Sequence, residues 1–272
     1  MSLYDHYFSD LEKKYYEFYL EKRQLASRGL LPISIIDNSF LEFSKKLHAD
    51  GYVELPNVIP KNDLIDVQSQ IEEYFLENDA RILKNPLQVE GLYSLVKKYL
   101  VPFACSYYGC VPTISYIKII NSAVANTAKD TQFFHRDPGS YRLLKSIIYL
   151  NSVDSHGGPF VYIEKSHTEN LKGKSGRERI SDDIVVSQYG DSVKEVVGHA
   201  GHLTFFDAKG LHKGKLPEKS DRLAIIVNFS LHPEYGQKDN YSKVNYNMDD
   251  QYDKFDLMLL DSCVPIFGVE NE

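Results

Sequence analysis

Hydrophobic spacing divides the chain near residue 112. Before it, apolar and aromatic residues recur at helical intervals. Residues 2–27, rich in Tyr, Glu, Lys and Leu and free of Gly and Pro, predict one or two amphipathic helices. Pro32 and Asp37-Asn38-Ser39 break the pattern and open a second helix over about 39–49, which stops at Asp50-Gly51. GYVELPNVIP reads as a short strand and turn. Lys61-Asn62-Asp63 starts a third helix through about Glu77, and 87–100 predicts a fourth. After Pro112 the period changes. TISYIKIIN (113–121), TQFFHRD (131–137), KSIIYLN (145–151), FVYIE (160–164), KEVVGH (194–199), HLTFFD (202–207) and RLAIIVNFSL (222–231) are short, β-branched or aromatic, and separated by Gly, Asp, Ser and Asn. With a further strand near 211–214 they make about eight. Few helices intervene, which predicts a sandwich or barrel rather than a parallel sheet.

This pattern predicts one α+β domain over 1–272. A mainly helical layer at 1–110 precedes a β core at 111–232, which carries a polar insertion at 165–193. A tail at 233–272 has an apolar stretch, Phe255 to Phe267, expected to dock back on the core. No internal repeat is visible.

Composition narrows the classes. The chain has 272 residues, 43% hydrophobic and 25% charged, enough for a substantial core without staples. Its 31 basic and 38 acidic residues give a net charge of -7, against the basic footprint that nucleic-acid binding needs. Three cysteines, Cys105, Cys110 and Cys263, form neither a CxxC pair nor a zinc spacing, which fits reduced thiols in a cytoplasmic protein. No signal peptide and no membrane span is expected.

Chemistry concentrates in FHRDP (134–138). On a strand, His135 and Asp137 project to one face. Alone they read equally as a hydrogen-bonded couple or as part of a metal site. His212, in GHLTFFDAKGLHKG, follows a strand and a tight turn and is the candidate third ligand. Arg222 opens the last apolar strand, where an arginine is costly unless it holds an anion. That anion is either a protein carboxylate or a bound dicarboxylate. Two histidines and a carboxylate match the facial triad of non-haem Fe(II) oxygenases, which leaves room for a 2-oxo acid and O2. Arg222 has the permanent, planar charge that the distal carboxylate of 2-oxoglutarate needs.

HRDPGSYRLLKSIIYLNSVDSHGGPFVYIEKSH and GHLTFFDAKGLHKGKLPEKSDRLAIIVNFS together resemble the phytanoyl-CoA dioxygenase family of Fe(II)/2-oxoglutarate-dependent oxygenases. ADGYVELPNVIPKNDL is similar to that family's entry into the domain, and the likeness spans about residues 40–232. It implies a double-stranded β-helix (jelly-roll, cupin-like) with an N-terminal helical layer. By the same resemblance His135, Asp137 and His212 would bind Fe(II), and Arg222 would bind 2-oxoglutarate. The activity implied is oxidation, chiefly hydroxylation, of a small organic substrate with release of succinate and CO2. Halogenating relatives lack the carboxylate ligand, so Asp137 implies oxygenation.

This sequence departs from the family at two places. Lys165 stands where glycine is usual. Ala224 stands two residues after the arginine, where several relatives carry a hydroxyl, which leaves Tyr149 and Lys145 as candidate second donors to the cosubstrate. His167 is expected to be a structural turn residue. Gln132 and Asn228 face either substrate or core. Lys172, Lys174, Arg177 and Arg179 in the insertion fit either a solvated loop or a lid that attracts an anionic substrate. The rival reading is a non-oxidative cupin-type metal-dependent isomerase or metabolite-binding protein.

Overall fold

The β-rich half folds into two antiparallel sheets. The larger has six strands in the order β1 (Tyr52–Leu55), β7 (Leu203–Asp207), β4 (Leu144–Tyr149), β9 (Arg222–Ser230), β3 (Thr113–Ser122) and β2 (Ile82–Leu83). The smaller has three, β6 (Val193–Val196), β5 (Phe160–Ile163) and β8 (His212–Gly214), with β5 in the middle. This computed structural model describes residues 10–31, 38–83, 86–138, 141–169, 178–231 and 253–260. The sheets form a jelly roll without closing into a barrel.

Seven helices complete the described chain: α1 (Asp10–Ala26), α2 (Asn38–Asp50), α3 (Lys61–Glu77), α4 (Leu92–Tyr99), α5 (Val101–Tyr108), α6 (Asp182–Tyr189) and α7 (Lys254–Leu260). In α3 the buried residues are Leu64, Val67 and Ile71, and in α4 they are Leu92, Leu95 and Val96. Those spacings put one apolar stripe on each helix, facing the large sheet. The sheet replies with alternate positions of its strands, among them Ile117, Ile119, Ile225, Val227, Phe229, Leu203 and Phe205, which share a core with the helices. Burying one such side chain fully contributes about 1.5–3 kcal/mol. The opposite face of the same sheet looks toward β5 and β6. Ile147, Tyr149, Phe206 and Ala224 pack there with Phe160, Tyr162 and Val196 in a second, smaller cluster.

Arg23, buried on α1, ties distant segments together. Its guanidinium donates to the carbonyls of Leu231 (3.2 Å), Val111 (3.3 Å) and Met258 (3.1 Å), and to the Thr113 hydroxyl. α7, which begins the expected apolar tail, is buried against β3. Residues 233–252 and 261–272 lie outside the described residues, as do 1–9.

Several elements differ from the sequence expectations. The stretch 131–137 is not a strand. A 3-10 turn spans Asp130–Gln132, and the backbone then bonds to three separate segments. Phe134 bridges Ile180, His135 bridges His212, and the Asp137 N–H donates to the Ala208 carbonyl at 2.9 Å. No single partner strand is available, so no ladder forms. The expected helix over 87–100 is a 3-10 turn at Pro86–Gln88 followed by α4. α5 was not anticipated. Pro102 cannot continue α4 but suits the first turn of a new helix, and Gly109 closes it at φ 66°. β2 and α6 were also missed. The helical first part of the chain supplies both edge strands, β1 and β2, of the large sheet.

The insertion is therefore partly built. Residues 170–177, with Lys172, Lys174 and Arg177, lie outside the described residues. From 178 on, the chain is anchored: Ile180 bridges Phe134, Val185 is buried, and Asp182 receives the Lys213 ammonium on both carboxylate oxygens at 2.6 Å. Lys165 adopts φ 65°, the left-handed conformation that the usual glycine would supply.

Candidate active site

A cavity of about 600 Å³ opens between the two sheets. His135, Asp137, His212 and Arg222 all line it. Asp137 comes off the irregular segment after the 3-10 turn, and His212 begins β8. The His135–His212 backbone bridge, with N···O distances of 3.0 Å in both directions, brings the two rings to 4.4 Å between centroids. One potential ligand atom from each of His135, Asp137 and His212 lies within 4.8 Å of the others. His135 Nε2 is 3.8 Å from Asp137 Oδ1, and His212 Nε2 is 3.5 Å from Asp137 Oδ2. Metal–ligand bonds of about 2 Å put adjacent ligand atoms about 3 Å apart, so a small contraction would suit an ion.

The hydrogen bonds behind the rings prepare them. His135 Nδ1 lies 2.9 Å from the Phe133 carbonyl, and His212 Nδ1 lies 2.9 Å from the Gly210 carbonyl. A carbonyl only accepts, so each Nδ1 carries the hydrogen and each Nε2 presents its lone pair to the centre. Burial, helped by the neighbouring His212, pushes the His135 pKa down to about 3 and keeps the ring neutral. Burial works against ionisation of Asp137, but the Lys145 ammonium and the His212 ring prevail and hold its carboxyl well below the usual carboxylate range. Phe206 and Phe160 stand 5.1 and 6.0 Å from the His212 ring and form an apolar wall. The donor set, its protonation and its burial all fit a divalent transition metal.

The loops that carry the ligands are held from behind. The buried Arg136 donates to the Ser166 and Lys209 carbonyls, both at 2.6 Å, and pairs with Glu169 at 2.7 Å. The Ser166 hydroxyl accepts the Leu211 N–H at 2.8 Å, next to His212. The neighbouring His167 bonds through Nε2 to the His48 carbonyl at 3.0 Å, a turn contact.

Arg222 enters the cavity from the first position of β9. It donates to the Gly158 carbonyl and, at 3.1 Å, to the Ser122 hydroxyl. Among the described residues no carboxylate pairs with it, although it is only 8% exposed. Burial pushes its pKa down, a sign that nothing nearby compensates the charge. Gly214 makes its approach possible, since a Cβ there would lie 2.6 Å from Nη2.

Tyr149 and Lys145 take other roles than second donors to a cosubstrate. The Tyr149 hydroxyl spends its only hydrogen on the Val196 carbonyl at 2.8 Å and accepts the Phe160 N–H at 2.8 Å. Lys145 lines the cavity but grips Asp137 Oδ2 at 2.5 Å, with its ammonium 5.3 Å from the centre of the Tyr116 ring. Asn228 lines the cavity. Gln132 does too, with its Oε1 accepting the Lys129 N–H at 2.8 Å to close the 3-10 turn. Sequence reasoning missed Tyr116, Lys118 and Ser122 on β3, which also line the cavity. Their signal was present in TISYIKIINS, where polar residues fall at alternate positions of an otherwise apolar strand.

No family model matches the chain, and no curated protein matches it. Among solved structures, the epimerase SnoN in complex with Fe3+, alpha ketoglutarate and nogalamycin RO aligns with TM-score 0.57 and 15% identity, over 71% of this chain and 83% of that one. HygX from Streptomyces hygroscopicus, with nickel and 2-oxoglutarate bound, aligns with TM-score 0.54 and 13% identity over 72% and 87%. EctD from S. alaskensis with bound Fe gives TM-score 0.54 and 15% identity over 72% and 77%. The chain therefore shares the jelly-roll fold of enzymes whose structures hold iron or nickel and 2-oxoglutarate.

Proposed function

We propose that this chain is an Fe(II)/2-oxoglutarate-dependent oxygenase that hydroxylates a small organic molecule, with O2 as co-substrate and succinate and CO2 as co-products. The observation that carries the reading is one cavity holding both halves of the required chemistry. Three ligand atoms gather within 4.8 Å, and a buried guanidinium without a carboxylate partner among the described residues faces the same space. The motif resemblance to the phytanoyl-CoA dioxygenase family and the fold shared with SnoN, HygX and EctD support it.

In this reading His135, Asp137 and His212 hold the metal, and Arg222 binds the distal carboxylate of 2-oxoglutarate as a planar fork. Iron with 2-oxoglutarate and O2 supplies the oxidising power when bound. The chain does the rest. Ser122, beside Arg222 on the adjacent strand, supplies the hydroxyl that position 224 lacks. Lys145 fixes Asp137 through one oxygen, which leaves the other directed at the centre. Phe160 and Phe206 keep water from the His212 side.

The test is a turnover assay with Fe(II), 2-oxoglutarate and candidate substrates, scored for succinate and for a product heavier by one oxygen atom. Fe(II)-dependent succinate that disappears in His212→Ala supports the reading. Metal binding without any succinate formation from 2-oxoglutarate favours the cupin-type isomerase or binding protein instead. The domain arrangement belongs to the same proposal: helical layer, β core and C-terminal segment act as one oxygenase unit.

A further inference from the structure

The cavity carries more positive charge than metal and cosubstrate chemistry require. Among the described residues lining it, the cations are Arg81, Lys118, Lys129, Lys145 and Arg222, and the acids are Asp130 and Asp137. A divalent metal and a dianionic cosubstrate cancel one another, so the positive excess remains when both are bound. The chain as a whole has a net charge of -7, so this excess is local.

The surplus has a place. Lys145 is committed to Asp137 and Arg222 sits at the Ser122 end of β3. Lys118 lies four residues earlier on the same inward face, opposite Ile226, roughly 13 Å from Ser122 along the strand. Lys118 is half-buried on a sheet face that otherwise presents Ile120, Ile147 and Ile226 to the cavity. A lysine there is costly unless an anion meets it. Arg81, just before β2, and Lys129, at the 3-10 turn, line the same cavity from exposed positions.

We infer that the substrate carries a carboxylate or phosphate group, and that Arg81, Lys118 and Lys129 bind it on the cavity wall away from Arg222. This rests on the proposed function for what happens to the substrate, but not for the existence of the anion site. The exposed cations draw the anion in, and the half-buried Lys118 fixes it. A molecule so anchored extends along β3 toward the metal ligands.

The experiment titrates the full-length chain with phenyl phosphate and with benzoate, using calorimetry, both with and without Ni(II) and 2-oxoglutarate. The wild type is expected to bind at least one probe saturably in either state, and the more strongly bound probe identifies the anion. Arg81→Ser/Lys118→Ser/Lys129→Ser should bind at least tenfold more weakly and keep its Ni(II) and 2-oxoglutarate affinities within twofold. Should the triple variant misfold, the exposed pair Arg81→Ser/Lys129→Ser is expected to lose at least threefold. Raising the salt concentration should weaken the wild type more than the variants. Equal probe affinity in wild type and variants, or no saturable binding to the wild type, overturns the inference. Absent Ni(II) and 2-oxoglutarate binding alongside normal probe binding would instead overturn the proposed function and leave the anion site standing.

Discussion

The six-stranded sheet has two unlike faces, and β9 shows both in one strand. Leu223, Ile225, Val227 and Phe229 point to the helices and join the main core. Arg222, Ala224, Ile226 and Asn228 take the alternate positions and point between the sheets, and all but Ala224 line the cavity. One face is apolar and closely packed. The other mixes aliphatic residues with an arginine, an asparagine and, from β3 and β4, two lysines. Stability and chemistry are thus assigned to odd and even positions of the same strands. That separation predicts that changes on one face leave the other's property nearly intact.

The largest expected effect lies on the helical face. Phe229→Ala should cost about 3–5 kcal/mol of unfolding free energy, read in denaturant titrations. If the faces are independent, metal and 2-oxoglutarate affinities below the lowered Tm should stay within about threefold of wild type, and a larger loss would break the separation. Next, His212→Ala should weaken Fe(II) or Ni(II) binding at least a hundredfold, equivalent to about 2.7 kcal/mol, while changing the metal-free unfolding free energy by about 1 kcal/mol. An unfolded metal-free variant would show that the ligand face also carries the fold. A third, smaller effect is expected for Arg222→Lys. Losing the planar fork should raise the 2-oxoglutarate Kd about tenfold, with metal affinity unchanged. The smallest concerns neither face. Lys165→Gly relieves about 1 kcal/mol of left-handed strain but frees the unfolded chain by nearly as much, so stability should shift by no more than about 0.5 kcal/mol.

Where periodicity was strong, the sequence was readable. β3, β4, β7 and β9 fall within a residue or two of their expected spans, because each strand alternates against a buried partner face. The three ligand candidates were found through residue type and order, and the structure brings them together. The secondary structure assumed for two of them was wrong. His135 and Asp137 converge because their backbone is shared among Ile180, His212 and Ala208, and no local pattern announces such a crossing. α5 was hidden because VPFACSYY is apolar all round and lacks a stripe to detect. Tyr149 was misread because its aromatic ring suggested a cavity wall, while its hydroxyl serves two backbone groups on β5 and β6. Lys118 and Ser122 were legible in the alternation of β3 but were passed over. The chain's acidity also concealed the local basic wall, since a net charge averages over surfaces that never meet.

The topology also bears on when the site can exist during folding. Tyr52 pairs with Phe206, Thr113 with Ser230, and His135 with His212, so every wall of the cavity joins segments far apart in the chain. Such long-range pairings close late and slowly, on the order of milliseconds to seconds. The ligand set is split the same way, with no two-histidine fragment that a metal could seize in the nascent chain. A metal added during refolding should therefore leave the folding rate unchanged and slow only unfolding. Metallation then becomes a step that follows folding, and the metal-free protein is an obligatory species that must be stable enough to wait for its ion.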